Sequence, residues 1–288
     1  MKIKKLIMRF LFSISKYVDF FLEPMVSQKG INIQIQKLFL LPYALQEKSK
    51  IFSPIFVVGC PHSGTSVMLA ILDNHQNIIA VTMETKVFYK TSLEKILIFR
   101  DWSKMTILAG KQRWAEKTPY HIEKINEILR YYPDARIILM LRDGRDVACS
   151  IKYRVNDFEF GVDEWLKWNR FGESFWSNKK VMVVKYESVV KHTHNSLSKI
   201  FAFLGEPYEA EMSELGNKSR RWYSENIEKP SSRAREHHND FRNWQINQPL
   251  FDGSGKWILS MTDDERMLFK TKAGDLLLKY GYVNDNNW

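Results

Sequence analysis

The chain has 288 residues, 43 of them Lys or Arg against 33 Asp or Glu, for a net charge of +10. With 44% hydrophobic and 26% charged residues the composition is that of an ordinary globular protein, which excludes a disordered or fibrous chain. The two cysteines, Cys60 and Cys149, form no CxxC or metal-ligand cluster and are expected reduced and packed, which suits the cytoplasm. The positive balance suits anionic ligands, an anionic membrane or simply solvated lysine. Nucleic acid is not expected, because the basic residues are scattered and no reader motif is present.

The N-terminus comes first. Lys2, Lys5, Arg9, Ser13, Lys16 and Asp19 fall on one stripe of a helix over residues 1–22, with Glu23 continuing it, and nearly everything else there is apolar. Arg9, Lys16 and Asp19 break what would otherwise be a membrane span. The segment reads as an amphipathic helix with three destinations: a membrane interface, its own domain, or a homodimer contact. Residues 1–50 are therefore taken as an extension and 51–288 as one domain.

From residue 54 onward, strands and helices alternate. Ile55 to Val58 is a strand; a helix follows to about Asn74; Ile78 to Thr82 is a second strand. Residues 86–108 are mostly helical, and Pro119 to Tyr132 has helical spacing. Arg136 to Arg142 is a strand apolar on both faces, followed by a helix through Val147, Ala148 and Ile151. A helix over 164–176 carries Trp165 and Trp168, expected in the core. Lys180 to Tyr186 is a strand and His194 to Leu204 a helix. Residues 205–255 show weak periodicity and read as a long loop with a short helix near 209–215. Thr262, with Glu265 three positions later, is a capping box opening the last helix. The alternation predicts an α/β fold, a central parallel sheet flanked by helices in three layers.

One segment carries chemistry by itself. Gly59-Cys60-Pro61-His62-Ser63-Gly64-Thr65-Ser66 joins a strand to a helix, with the glycine spacing of a phosphate-binding P-loop. Backbone N–H groups and a helix N-terminus in this arrangement cradle phosphate. The Lys that a nucleoside triphosphatase would place before the Ser is here Thr65, which argues against an ATP-type β,γ-phosphate grip.

This loop and the segment Arg142-Asp143-Gly144-Arg145-Asp146 resemble the 5′-phosphosulfate loop and the 3′-phosphate motif of sulfotransferases that use PAPS, 3′-phosphoadenosine 5′-phosphosulfate. Five further segments match in the family's order: Leu72-Asp73-Asn74-His75, Glu84-Thr85-Lys86, Trp114 to Pro119, Lys185-Tyr186-Glu187, and Gly255-Lys256-Trp257. Glu84-Thr85-Lys86 is similar to the Glu-Thr-Arg of tyrosylprotein sulfotransferases, with about one extra residue in the spacing. The resemblance spans roughly residues 54–283.

It implies transfer of a sulfuryl group from PAPS, without a metal, to a hydroxyl or amine on a sugar, lipid, peptide or small molecule. Pro61, His62, Ser63, Gly64, Thr65 and Ser66 would hold the 5′-phosphosulfate, and Arg142 with Ser150 the 3′-phosphate. Tyr186 and Lys256 would contact the cofactor, the latter with Arg233 or Arg235 of the long loop. Glu84 would be the general base and Lys117 would stabilise the leaving oxygen. His62, His121 and Glu116 are fallback bases. His62 stands where many relatives carry Arg or Lys, so its sulfate contact is open. Each residue also has a plain alternative: Ser150 as small helix packing, Arg142 paired to Asp143 or Asp146, Arg145 structural, Glu84 and Lys117 as surface charges, Tyr186 as core. Two other functions stay open, a kinase-like nucleotide phosphotransferase and a non-catalytic nucleotide-binding protein at a membrane. The Gly59–Ser66 loop, Glu84, Arg142 and Tyr186 all sit at or just beyond predicted strand ends, where ligands bind in open α/β sheets.

Overall fold

A computed structural model describes residues 53–232, 235–285, 287 and 288. The amphipathic helix expected over 1–22 and Arg233 lie outside the described residues. All of the described residues belong to the unit 47–288.

Among the described residues, five strands form one sheet: β1 (Ile55–Gly59), β2 (Ile78–Val81), β3 (Arg113–Lys117), β4 (Arg136–Leu141) and β5 (Val181–Lys185). Their order is β2-β3-β1-β4-β5 and every pairing is parallel, with Ile55 opposite both Ala115 and Arg136. The α/β expectation therefore holds. β1, in the centre, alternates between two apolar cores. Phe56 and Val58 face a cluster with Trp114, Phe99, Trp165 and Phe269, whereas Ile55 and Val57 face Met68, Leu69, Ile138 and Phe201. Phe56 meets the Trp114 ring edge-on at 5.3 Å, the geometry aromatic quadrupoles favour.

The helices are α1 (Thr65–Asp73), α2 (Ser92–Leu108), α3 (Ile125–Tyr131), α4 (Gly144–Val155), α5 (Phe158–Glu173), α6 (Tyr186–Lys191), α7 (Thr193–Leu204), α8 (His238–Gln245), α9 (Trp257–Ser260) and α10 (Asp263–Lys279). Several boundaries differ from the sequence expectation. α2 starts only at Ser92, where Thr91 and Glu94 make a capping box, and a 3-10 turn occupies Val87–Tyr89. α5 starts six residues early because the Asp157 side chain accepts the Phe160 N–H at 2.9 Å and caps it. Residues 119–124 are 3-10 rather than α. The capping box at Thr262 and Glu265 is present. Trp165 and Trp168 are buried, and Cys60 and Cys149 are free and buried.

β3 was not apparent in the sequence. Its residues Arg-Trp-Ala-Glu-Lys do not look like a strand buried throughout, yet all five are buried. Each charge has found a partner. Arg113 donates to Glu206 at 3.0 Å and to the Leu204 and Ser53 carbonyls at 2.7 Å. Glu116 accepts from Thr118 and from His121 Nδ1, and Lys117 pairs with Glu84. Buried charges persist only when matched in this way, and hydropathy cannot register the matching.

Candidate active site

The carboxyl ends of all five strands open on one cleft of about 910 Å³, within the range of small-molecule sites. β1 contributes the phosphate loop, β2 leads to Glu84, β3 ends in Lys117, β4 runs into Arg142 and β5 into Tyr186. The lining includes six basic side chains, Lys86, Lys117, Arg142, Arg154, Arg242 and Lys256, against two acidic ones, Glu84 and Asp146. Such an excess favours a strongly anionic ligand.

The phosphate loop owes its shape to two glycines. Gly59 sits at φ +144°, and a Cβ there would run into the Met140 carbonyl of β4. Gly64 sits at φ +89°, and its Cβ would lie 2.6 Å from the Tyr186 ring. Pro61, His62, Gly64, Thr65 and Ser66 line the cleft. Ser63 does not: its side chain is fully buried and its N–H closes the turn on the Cys60 carbonyl at 3.2 Å. The Ser63 hydroxyl is thus buried beneath the loop and outside the cleft lining.

His62, at φ +68°, places Nδ1 2.8 Å from Ser150 Oγ. Burial, with His238, Arg154, Arg142 and Arg242 nearby, lowers its pKa to about 3, so the ring is neutral at ordinary pH. Arg142 makes no pair with Asp143 or Asp146. It donates to the His62 carbonyl at 3.0 Å and the Gly253 carbonyl at 2.9 Å, and lies 4.5 Å over the Tyr186 ring. Its backbone is held from behind, where Trp165 Nε1 donates to the Arg142 carbonyl at 2.9 Å. Asp143 binds Arg145 instead, and Arg145 is buried between Trp257 and Trp288, a structural role. Asp146 accepts the N–H groups of Gly255 at 2.7 Å and Trp257 at 3.0 Å, which fixes the loop presenting Lys256 to the cleft.

At the other side of the loop, Glu84 pairs with Lys117 and accepts Arg242 Nη2 at 2.6 Å. Burial alone would raise its pKa, but the two cations outweigh that and hold the carboxyl below its ordinary value. Two of the fallback bases are elsewhere. Glu116 and His121 are fully buried and bonded to each other at 3.1 Å, and neither lines the cleft. His121 Nε2 instead accepts the Phe88 N–H at 3.4 Å, steadying the turn just after Glu84.

Sequence reasoning did not pick out Arg154, His238 and Arg242 of the lining. Arg154 lies on α4; His238 and Arg242 lie on α8, whose segment was read as loop. The signal was present, since His238, Phe241, Arg242 and Gln245 recur at helical spacing and all four line the cleft. That face is mostly polar, and a search for apolar periodicity passes over it. The Arg235 side chain is not among the described ones.

Comparison with known proteins narrows the reading. The sulfotransferase-family model matches residues 99–210, a stretch that contains Lys117, Arg142, Ser150 and Tyr186. The fold is sulfotransferase-like, and residues 99–210 are similar to the sulfotransferase family. Over 199 residues the chain is 25% identical to protein-tyrosine sulfotransferase 1 of Danio rerio, covering 54% of this chain and 53% of that protein. Protein-tyrosine sulfotransferase 2 of Gallus gallus is 26% identical over 54% of this chain and 52% of its own length. The chain thus spans about half the length of the curated relatives it matches. A mouse sulfotransferase crystallised with PAP superposes at a TM-score of 0.53 and 18% identity, over 83% of this chain and 93% of that one, a likeness of fold.

Proposed function

We propose that the protein is a sulfotransferase that takes a sulfuryl group from PAPS and passes it to a hydroxyl-bearing acceptor. The observation that carries the reading is the division of labour within one basic cleft. Arg142, Ser150, Tyr186 and Lys256 gather on one side of the phosphate loop, and Lys117, Glu84 and Arg242 on the other. The first group suits a phosphate beyond the reach of the loop, which PAPS has on its 3′ oxygen and ATP lacks. The second suits transfer chemistry. The loop has Thr65 where a triphosphatase has Lys, and this counts against the kinase-like alternative.

The roles follow from the chemistry of a loose, in-line transfer. A bond forms between the acceptor oxygen and sulfur as the bond from sulfur to the bridging oxygen breaks, and that electron pair leaves with the 5′-phosphate of PAP. Lys117 neutralises charge on the leaving oxygen. Glu84 takes the acceptor proton. The Gly64, Thr65 and Ser66 end of the loop, at the N-terminus of α1, holds the 5′ end. Residues 1–22 serve as a peripheral attachment to an anionic membrane on the cytoplasmic side.

Differential ligand binding tests the reading. PAP at 100 times its dissociation constant should stabilise the protein by about 2.7 kcal/mol, while ADP and ATP at the same concentration add little. Arg142→Ala should weaken PAP by about 10- to 150-fold, the worth of a charge-assisted contact. A wild-type protein stabilised by ATP and indifferent to PAP would overturn the assignment. Incubation of cell extract with enzyme and PAPS, read by mass spectrometry for added SO₃, then identifies the acceptor.

A further inference from the structure

The phosphate loop is short of positive charge for its proposed task. The stretch from Gly59 to Ser66 contains no Lys or Arg, and position 62 carries a histidine that burial and neighbouring cations keep neutral, with Nδ1 engaged by Ser150. A transferring sulfuryl group places negative charge on its non-bridging oxygens, and Lys117 is a single cation on the leaving side. The missing charge comes from another element. Arg242, on α8, sets one guanidinium nitrogen 2.6 Å from Glu84 Oε1 and 3.5 Å from Ser66 Oγ, spanning the carboxylate and the end of the phosphate loop.

This placement is built into the fold. The guanidinium lies 3.7 Å over the Tyr223 ring, whose hydroxyl reaches Ser66 Oγ at 3.4 Å. Lys117 Nζ is 5.4 Å from the centre of the same ring. Asn243, fully buried beside Arg242, accepts the N–H groups of Trp222 and Tyr223 at 3.0 and 3.3 Å, so α8 and the Tyr223 platform are locked together. Two cations sharing one carboxylate leave a net positive charge between loop and base, facing the cleft. A planar guanidinium can offer two donors to two oxygens of one group, which an ammonium cannot.

We propose that Arg242 is a catalytic residue that binds the non-bridging sulfuryl oxygens of the co-substrate, supplying the cation the phosphate loop lacks. The inference rests on the sulfotransferase reading above. It makes a prediction which that reading alone does not: Arg242 should distinguish PAPS from PAP, because PAP has no sulfuryl group.

Titration calorimetry without acceptor reads this directly. In Arg242→Gln, PAPS affinity should fall by about 10- to 150-fold while PAP affinity stays within about threefold of wild type. Arg242→Lys should recover part of the PAPS loss, keeping the charge but losing the fork. Thermal unfolding run in parallel reports any structural effect of either variant. If both ligands weaken equally, or neither weakens, Arg242 is a strut for Glu84 and the proposal is overturned, with the sulfotransferase reading intact. If wild type binds neither ligand, both fall. Should Arg242→Gln not fold, Arg242→Lys carries the same comparison: a selective loss of PAPS supports the role and an equal loss rejects it.

Discussion

Glu84 shows how an isolated carboxylate and one in a site differ. Burial pushes its pKa up, while Lys117 and Arg242 together pull it below the usual range, so it rests ionised and paired. An ionised carboxylate is in the right state to accept a proton, and it becomes a stronger base once its cations turn toward an incoming anion. Glu84→Gln should lower kcat by about 10²- to 10⁴-fold and leave PAP affinity nearly intact. An acidic phenol, already ionised at assay pH, should largely rescue Glu84→Gln but not Lys117→Ala, whose defect lies on the leaving side. Near-normal turnover of an unionised hydroxyl by Glu84→Gln would pass the role to His62 or His238, since Glu116 and His121 are bonded to each other outside the cleft. The pH dependence has a definite sign. Activity that needs ionised Glu84 is full above its depressed pKa and is lost as pH falls through it; Arg242→Gln removes one of the two lowering charges, so this acid limb should move to higher pH. Glu84 and Arg142 were legible in the sequence because each follows a predicted strand, and Lys117 because its segment, Trp114 to Pro119, resembles a family motif. Arg242 was not, because its role depends on a partner 158 residues away.

At the scale of elements, the loops are positioned by charges inside the fold as much as by apolar packing. The strands rich in Ile and Val, β1, β2, β4 and β5, were visible from composition. β3 was invisible because its charges are satisfied by residues far along the chain, Arg113 by Glu206 and Lys117 by Glu84. The first turn of α4 works in the same way. Asp146 takes two backbone N–H groups from the 255–257 segment, joining α4 to the loop that presents Lys256. Asp146→Ala leaves those donors without their charged acceptor. It should cost about 1.5–3 kcal/mol of stability in urea unfolding and also weaken PAP, by letting Lys256 drift. Lys256→Ala should weaken PAP to a similar degree with the unfolding midpoint unchanged. If Asp146→Ala loses stability yet binds PAP normally, the loop does not hold Lys256 on the ligand.

For the whole molecule, charge is the informative quantity, and it is unevenly distributed. The first 50 residues carry nine basic and three acidic side chains, so six of the ten net positive charges lie in less than a fifth of the chain. Solvated lysine scattered for solubility would not concentrate there. Five of those nine, Lys2, Lys4, Lys5, Arg9 and Lys16, fall within the stretch whose remaining positions are largely apolar. Each basic residue at an anionic surface contributes about 1 kcal/mol, and the apolar face adds to it, so the segment has the composition of a peripheral anchor. The full chain should then sediment with vesicles containing phosphatidylserine, and not with neutral vesicles. Binding should weaken between low salt and about 0.5 M salt as screening shortens the reach of the charges. A chain beginning at about residue 47 should lose vesicle binding while retaining its unfolding midpoint and its stabilisation by PAP. Aggregation of that shortened chain, or equal binding to neutral vesicles, would instead make residues 1–22 a packing element of the domain or a dimer contact.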